Sequence, residues 1–313
     1  MLIKTGDNLI KAVTDLRISA IIRPDEELKN HTTLRIGGPA EVFIHPETLE
    51  DLRKIVVLAR ENNFALFILG GGSKVLVPDT GLEGITVKLD TPYFKKINFR
   101  DKYLSLGAGL KVHEFLKVMS EKGIGGWEFL AGIPASIAGI LVLNAGVRKD
   151  SAKSGYLQVG DSVEEVTVMD RNGKVFTLDK DILKFDYRKS NLNDFIVLET
   201  RLSAAIKTNR EEIQAKTERF LGYRRQTQEL TFPSAGCVFK NPAEGNRSSG
   251  ELIELSGFKG KRIGDVLVSP KHANFILNVG EGKASDFLSL MDLIQRKVKQ
   301  DHGVWLESEI RVL

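Results

Sequence analysis

The spacing of apolar positions changes several times along the chain, and each change predicts an element. Residues 40–44 are apolar enough for a strand. Over 46–62, Leu49, Leu52, Val56 and Ala59 recur every three or four positions, which predicts a helix capped by Thr48, with Asp51 three residues on. A continuous apolar run at 64–69 and a second apolar strand at 85–89 lie on either side of a turn-rich stretch, 78–84. The first run ends on Gly70-Gly71-Gly72-Ser73, so a strand–helix–strand unit carries a glycine loop at a strand end. A strand from Tyr103, a Gly-Ala-Gly turn and a helix over 112–122 follow. Residues 131–146, AGIPASIAGILVLNAG, then open a short helix near Ser136.

From Asp161 onward the period shortens. Residues 163–169 and 174–178 flank the turn Asp170-Arg171-Asn172-Gly173, which predicts a β-hairpin, and 195–204 a further strand. A strongly charged helix over 209–223 reads as the linker to a last part. That part reads as helix 250–256, strand 274–278, helix 285–302 and a closing strand 305–313. In the closing strand Trp305, Glu307, Glu309 and Arg311 share one face, and Leu306, Ser308, Ile310 and Val312 the other. Such a charged face is either solvated or turned into a cleft. No internal repeat or low-complexity tract interrupts the chain.

With 313 residues, 42% of them hydrophobic and 27% charged, the chain can bury more than one core, and about two domains are expected. No apolar run approaches the ~20 residues of a membrane span, and the first residues carry no export-signal pattern, so a cytoplasmic protein is expected. The net charge of +4, without basic runs interleaved with aromatics, argues against nucleic acid. One cysteine, Cys237, rules out an internal disulfide framework and a cysteine-based zinc site. The five histidines never fall at ligand spacing, so no metal is expected, and no obligate protein partner is evident.

Three segments carry candidate chemistry. Gly70-Gly71-Gly72-Ser73 lets backbone N–H groups approach a phosphate closely; it also suits a tight surface turn, and it matches neither the dinucleotide-binding nor the P-loop motif. The small residues of 131–146 permit close approach to a flat or charged ligand, and equally close helix–sheet packing. PSAGCVFKNP, 233–242, reads as a loop that holds the single thiol beside Gly236. Arg188, in FDYRKSN, fits a surface ion pair or an anion contact.

In this order, NHTTLRIGGPA, LGGGSKVLV, AGIPASIAG, NAG, YRKSN, PSAGCVFKNP, GKRIGDVLVSPKHANFILN and LESEIRVL resemble the UDP-N-acetylenolpyruvoylglucosamine reductase (MurB) family of bacterial cell-wall synthesis. The resemblance covers about nine-tenths of the chain. The lack of an inserted tyrosine-bearing loop around 146–161 makes it similar to the shorter, second type. The resemblance implies an α+β fold: a two-part FAD-binding unit of the vanillyl-alcohol-oxidase type, at 1–92 and 93–206, and a C-terminal α/β substrate-binding domain at 207–313. It implies an oxidoreductase of peptidoglycan precursor synthesis. NADPH gives hydride to FAD, which reduces UDP-N-acetylglucosamine enolpyruvate to UDP-N-acetylmuramate, with hydride to C3 and a proton to C2.

By the same resemblance Gly70, Gly71, Gly72, Ser73, Lys74, Val75, Ala131, Gly132, Ile133, Pro134, Ser136 and Asn144 hold FAD, and Tyr187, Arg225 and Asn241 the substrate. Neither FAD segment contains histidine or cysteine, so the flavin is expected to be non-covalent. Arg188, Cys237 and Glu309 are the implied catalytic residues, meeting across the flavin ring. Hydride addition builds negative charge beside a carboxylate, which a planar guanidinium can neutralise. A bare carboxylate would repel that charge, so Glu309 acts either protonated or by orienting Arg188. Cys237 stands where many relatives carry serine, and a thiol of pKa ~8.5 is a competent acid at neutral pH. Three departures from the family pattern stand out: Lys74 for asparagine, Ala135 and Ala138 for glycines, and VRKD after Asn144-Ala145-Gly146. Two other readings remain: a flavin oxidase on the same fold, and a non-catalytic flavin- or UDP-sugar-binding regulator.

Overall fold

Two hydrophobic cores organise the chain, and they draw on it out of order. The computed structural model describes residues 5–100, 103–148, 155–203 and 207–313. One compact unit takes residues 1–25, 41–71 and 83–222; the other takes 26–40, 72–82 and 223–313. The three consecutive stretches expected from sequence divide the chain differently, because 26–40 and 72–82 join the C-terminal unit. The expected boundary at residue 206 and the last residues of VRKD lie outside the described residues.

In the first unit a four-stranded sheet has the order Ala20–Glu27, Pro39–Pro46, Leu82–Val87, Leu66–Ile68. The last two strands run parallel, with Leu66 opposite Ile85. The helix between Pro39–Pro46 and Leu66–Ile68 is Leu49–Glu61. Thr48 Oγ1 accepts from the Asp51 N–H at 3.1 Å, and Leu52, Ile55, Val56 and Ala59 are buried. A five-stranded antiparallel sheet follows, ordered Val175–Asp179, Val163–Met169, Ile196–Ser203, Tyr103–Gly107, Ile97–Arg100. The expected hairpin forms its first pair of strands, with Met169 opposite Val175. The helices Val112–Glu121 and Ile137–Val142 contribute Phe115, Met119, Ile140 and Leu141 to the same core.

In the second unit an antiparallel sheet runs Ser234–Cys237, Phe275–Asn278, Val266–Val268, Arg262–Ile263. PSAGCVFKNP, expected as a loop, therefore contributes a strand; its backbone pairs with Phe275–Asn278 although its side chains are small and polar. The helix Ala284–His302 buries Phe287, Leu290, Met291, Ile294 and Val298, spaced three or four apart, and ends at Gly303 with φ +72°. Its first N–H groups are satisfied by a distant residue: Asp79 accepts from Ala284 at 2.7 Å and Ser285 at 3.0 Å. Leu34, Ile36 and Leu76 sit in this core with Phe287, Leu306 and Ile310.

The continuous closing strand expected over 305–313 does not form. Residues 307–309 bond Val238–Lys240, with Lys240 N–H to Glu307 O at 2.9 Å and Glu309 N–H to Val238 O at 2.8 Å. The chain then bends, Ser308 Oγ accepting from Ile310 N–H and donating to its carbonyl. Only Arg311–Val312 is a regular strand, parallel to Val75–Leu76. Its alternation serves two partners in succession. Among the described residues no helix is long and apolar enough to cross a membrane.

Candidate functional site

In the first unit the glycine loop meets the small-residue segment. A Cβ on Gly71 would lie 2.7 Å from Pro134 O and 2.8 Å from Ala135 Cα, and one on Gly70 would lie 2.9 Å from Ser136 Oγ. Only glycine permits this approach of one backbone to another. Ser136 is buried and caps Ile137–Val142, its hydroxyl accepting from Gly139 N–H at 3.2 Å. Gly132 has φ +76° and is exposed with Pro134, Ala131 is buried and Ile133 partly so. Two segments far apart in sequence thus form a cradle of exposed backbone, which fits a phosphate-bearing cofactor. The boundary between the two units falls after Gly71. Gly72, Ser73, Lys74 and Val75 belong to the second unit, where a Cβ on Gly72 (φ +66°) would meet His31 O at 2.0 Å.

Asn144, expected as a cofactor contact, makes several hydrogen bonds within the protein. It is buried, with φ +42°, and its amide is committed inside the protein. Nδ2 donates to Gln158 Oε1 and to Asp186 O, and Oδ1 accepts from Gly160 N–H, each at 3.0 Å. It is a strut between the end of the short helix and the hairpin that bears Arg188. Ser190, also buried, adds a second tie by donating to Val142 O at 2.9 Å. Neither tie was anticipated from sequence. An asparagine just past a helix, where a left-handed residue is common, was the available signal.

The hairpin pairs Phe185 with Ser190 and Asp186 with Lys189, leaving Tyr187 and Arg188 as its two-residue turn. Arg188 has φ +55°, a left-handed conformation that costs a side-chain-bearing residue about 1 kcal/mol or more. Its Nη2 donates to Gly146 O at 3.1 Å, and its guanidinium carbon lies 5.4 Å from the centre of the Tyr187 ring. The Tyr187 ring packs against Tyr156 at 5.4 Å between centres. A strained turn secured at both ends presents one cation and one aromatic ring.

The second unit brings together Lys74, Cys237 and Glu309. Lys74 Nζ lies 2.9 Å from Glu309 Oε1 and donates to the Cys237 carbonyl at 2.6 Å. The Glu309 side chain is 6% exposed and that of Lys74 20%, so of the two alternatives for that face Glu309 takes the inward one, while Trp305 and Glu307 are exposed. Cys237 is partly buried, at the end of its strand. Asn241 spends Oδ1 on the Ser249 N–H at 3.0 Å, holding the start of the helix Ser249–Leu255. Arg225 is exposed, and its carbonyl accepts from Lys271 Nζ at 2.5 Å. Among the described residues no group of histidine, cysteine and carboxylate side chains could hold a metal ion.

Comparison with known proteins supplies the frame for these residues. Residues 228–313 match the family model for the UDP-N-acetylenolpyruvoylglucosamine reductase C-terminal domain, and residues 40–179 match an FAD-binding domain. The chain is 38% identical to the UDP-N-acetylenolpyruvoylglucosamine reductase of Desulforamulus reducens, across 95% of each chain. It is 36% identical to reductase 2 of Bacillus cereus, across 93% of this chain and 92% of the relative. The crystal structure of the Thermus caldophilus reductase superposes with a TM-score of 0.76 at 32% identity, covering 94% of this chain and 99% of that one.

Proposed function

Because the chain belongs to the UDP-N-acetylenolpyruvoylglucosamine reductase family, we propose that it reduces UDP-N-acetylglucosamine enolpyruvate to UDP-N-acetylmuramate with NADPH as donor. It is a flavin-dependent oxidoreductase. Bound FAD would supply the hydride chemistry that links NADPH to C3 of the enolpyruvyl group. Gly70, Gly71 and Ala131 to Ser136 would hold that cofactor, since their backbones form the cradle that a single methyl group would fill.

The protein's own residues have three tasks. Arg188 faces the negative charge that grows on the substrate carboxylate, and a guanidinium held in a tied turn can meet it without rearranging. Cys237 gives a proton to C2. Glu309, beside the Cys237 backbone, orients the groups around it. In the same reading Tyr187 packs on the substrate, and Arg225 and Asn241 serve its diphosphate end. The observation that carries the proposal is that a buried carboxylate and the chain's single thiol-bearing residue, both within the domain that matches the reductase family, meet on one lysine.

Anaerobic titration tests it. NADPH should bleach the yellow protein, and the enolpyruvyl nucleotide alone should restore the colour while UDP-N-acetylmuramate forms. Reoxidation by air with turnover of a simple alcohol would indicate an oxidase. A flavin that NADPH leaves oxidised would indicate a binding protein.

A further inference from the structure

Lys74 stands where asparagine is usual in the pattern the sequence resembles, and Cys237 where serine is common; in the folded protein the two residues touch, though 163 positions apart. The Lys74 ammonium is enclosed by the Cys237 carbonyl at 2.6 Å, the Glu309 carboxylate at 2.9 Å and Gly236, where a Cβ would come within 3.4 Å of Nζ. Backbone pairing brings them together. The closing segment leaves Val238–Lys240 at Glu309 and takes up Lys74–Leu76 at Arg311, whose N–H donates to Lys74 O at 2.9 Å. The Lys74 side chain bridges both partners at the point where the segment changes from one to the other.

A largely buried ion pair contributes little net stability, since desolvation offsets most of the attraction, while a long lysine stem loses rotamer freedom on being ordered. Its main effect is on position and local charge. We propose that Lys74 is a positioning residue for the reduction, holding Glu309 beside Cys237 and supplying the cation that lets a carboxylate and a proton-donating thiol share one site. The proposal rests on the reading of Cys237 given above. When the S–H bond breaks and its proton forms the new C2–H bond, a thiolate remains until solvent reprotonates it. That thiolate would be a second negative charge on the residue whose carbonyl shares the Lys74 ammonium with Glu309, and the ammonium would offset it. Asparagine, with no charge, cannot do so. This use of Lys74 differs from the cofactor contact expected of it from sequence.

The test uses holoenzyme carrying Lys74→Met, Lys74→Arg or Lys74→Asn, with two readouts. Rapid mixing should show reoxidation by substrate slowed about tenfold or more in Lys74→Met and Lys74→Asn, with reduction by NADPH within about threefold of wild type and Lys74→Arg largely restored. Alkylation of the single cysteine by iodoacetamide should slow several-fold in Lys74→Met, because a carboxylate without its cation disfavours the thiolate, and should recover in Lys74→Arg. Unchanged reoxidation, or equal slowing of both half-reactions, would overturn the proposal. So would loss of FAD with alkylation unchanged, which would make Lys74 a cofactor contact. Faster alkylation in all three variants would overturn it too, by reducing Lys74 to a support of the fold. If wild-type flavin is not reoxidised by the enolpyruvyl substrate, the functional reading fails instead, and the alkylation contrast still reports on Lys74.

Discussion

Gly71→Ala adds one methyl group at the closest approach in the cofactor cradle. Its Cβ would lie 2.7 Å from Pro134 O and 2.8 Å from Ala135 Cα, where ordinary contact begins at 3.4 Å, so the two backbones must part by about 0.7 Å (3.4 less 2.7). Both neighbours are main chain and cannot rotate aside. Overpacking of this kind costs about 1–3 kcal/mol. If the loop keeps its place the cost appears as a lower urea midpoint. If it moves away, FAD affinity falls by about 5- to 150-fold. Gly139→Ala is the matched control. Gly139 lies within the helix Ile137–Val142, its Cβ would meet Ser136 Oγ at an ordinary 3.5 Å, and replacing a helical glycine gains about 0.5–1 kcal/mol. Flavin fluorescence on titration of apoprotein and urea unfolding of the same samples give both quantities. A Gly71→Ala protein that binds FAD and unfolds like wild type would refute the cradle. So would a Gly139→Ala protein that loses more than Gly71→Ala.

Four further outcomes are expected. Arg188→Ala should slow reoxidation by substrate by about 3 kcal/mol or more while flavin reduction stays near normal, as rapid-mixing kinetics would show; equal slowing of both steps would assign Arg188 to the fold. Cys237→Ala should lose most turnover and Cys237→Ser retain much of it, whereas a packing cysteine would give the reverse order in steady-state assays. Burial pushes the His272 imidazole below its ordinary 6.5, against the weaker opposing effect of a backbone hydrogen bond, so the unfolded chain takes up a proton there that the folded one refuses. Stability should therefore be complete above about pH 6.5 and decline below it, and His272→Gln should flatten that decline in urea midpoints measured from pH 7.5 to 5.5. Asp79→Ala should cost about 1 kcal/mol by uncapping Ala284–His302, seen as a lower urea midpoint, and an unchanged midpoint would mean the cap contributes nothing.

Elements whose stabilising contacts are local were legible in the sequence. Thr48 caps its helix and Ser136 the short one, and the turn at Asp170 to Gly173 closes its hairpin, because propensity and spacing agree within a few residues there. What escaped depends on distant pairing. Ser234–Cys237 becomes a strand only because Phe275–Asn278 offers its edge, and its own residues carry no strand signal. The closing segment alternates as one strand would, yet it divides between two partners, and alternation cannot report a change of partner. Within the candidate site, the motif residues were legible by type but not by task. The bonds of Asn144 to Gln158 and Asp186, and the pairing of Lys74 with Glu309, had no sequence signal, because side-chain contacts depend on which neighbours the fold supplies.

The presence of Leu34, Ile36 and Leu76 in the C-terminal core sets an order of assembly. During synthesis these residues emerge early and wait, exposed, until Phe287, Leu306 and Ile310 follow. The pairing of Arg311–Val312 with Val75–Leu76 must wait until all the residues between them have been made. The C-terminal unit therefore closes through contacts of long sequence separation, which form slowly. A fragment beginning at Tyr223 lacks three buried apolar residues and the carboxylate that caps its longest helix. Removal of Arg311 and Val312 would leave Val75–Leu76 without its partner strand. The gene therefore cannot be divided at the family-model boundaries without exposing a half-built core.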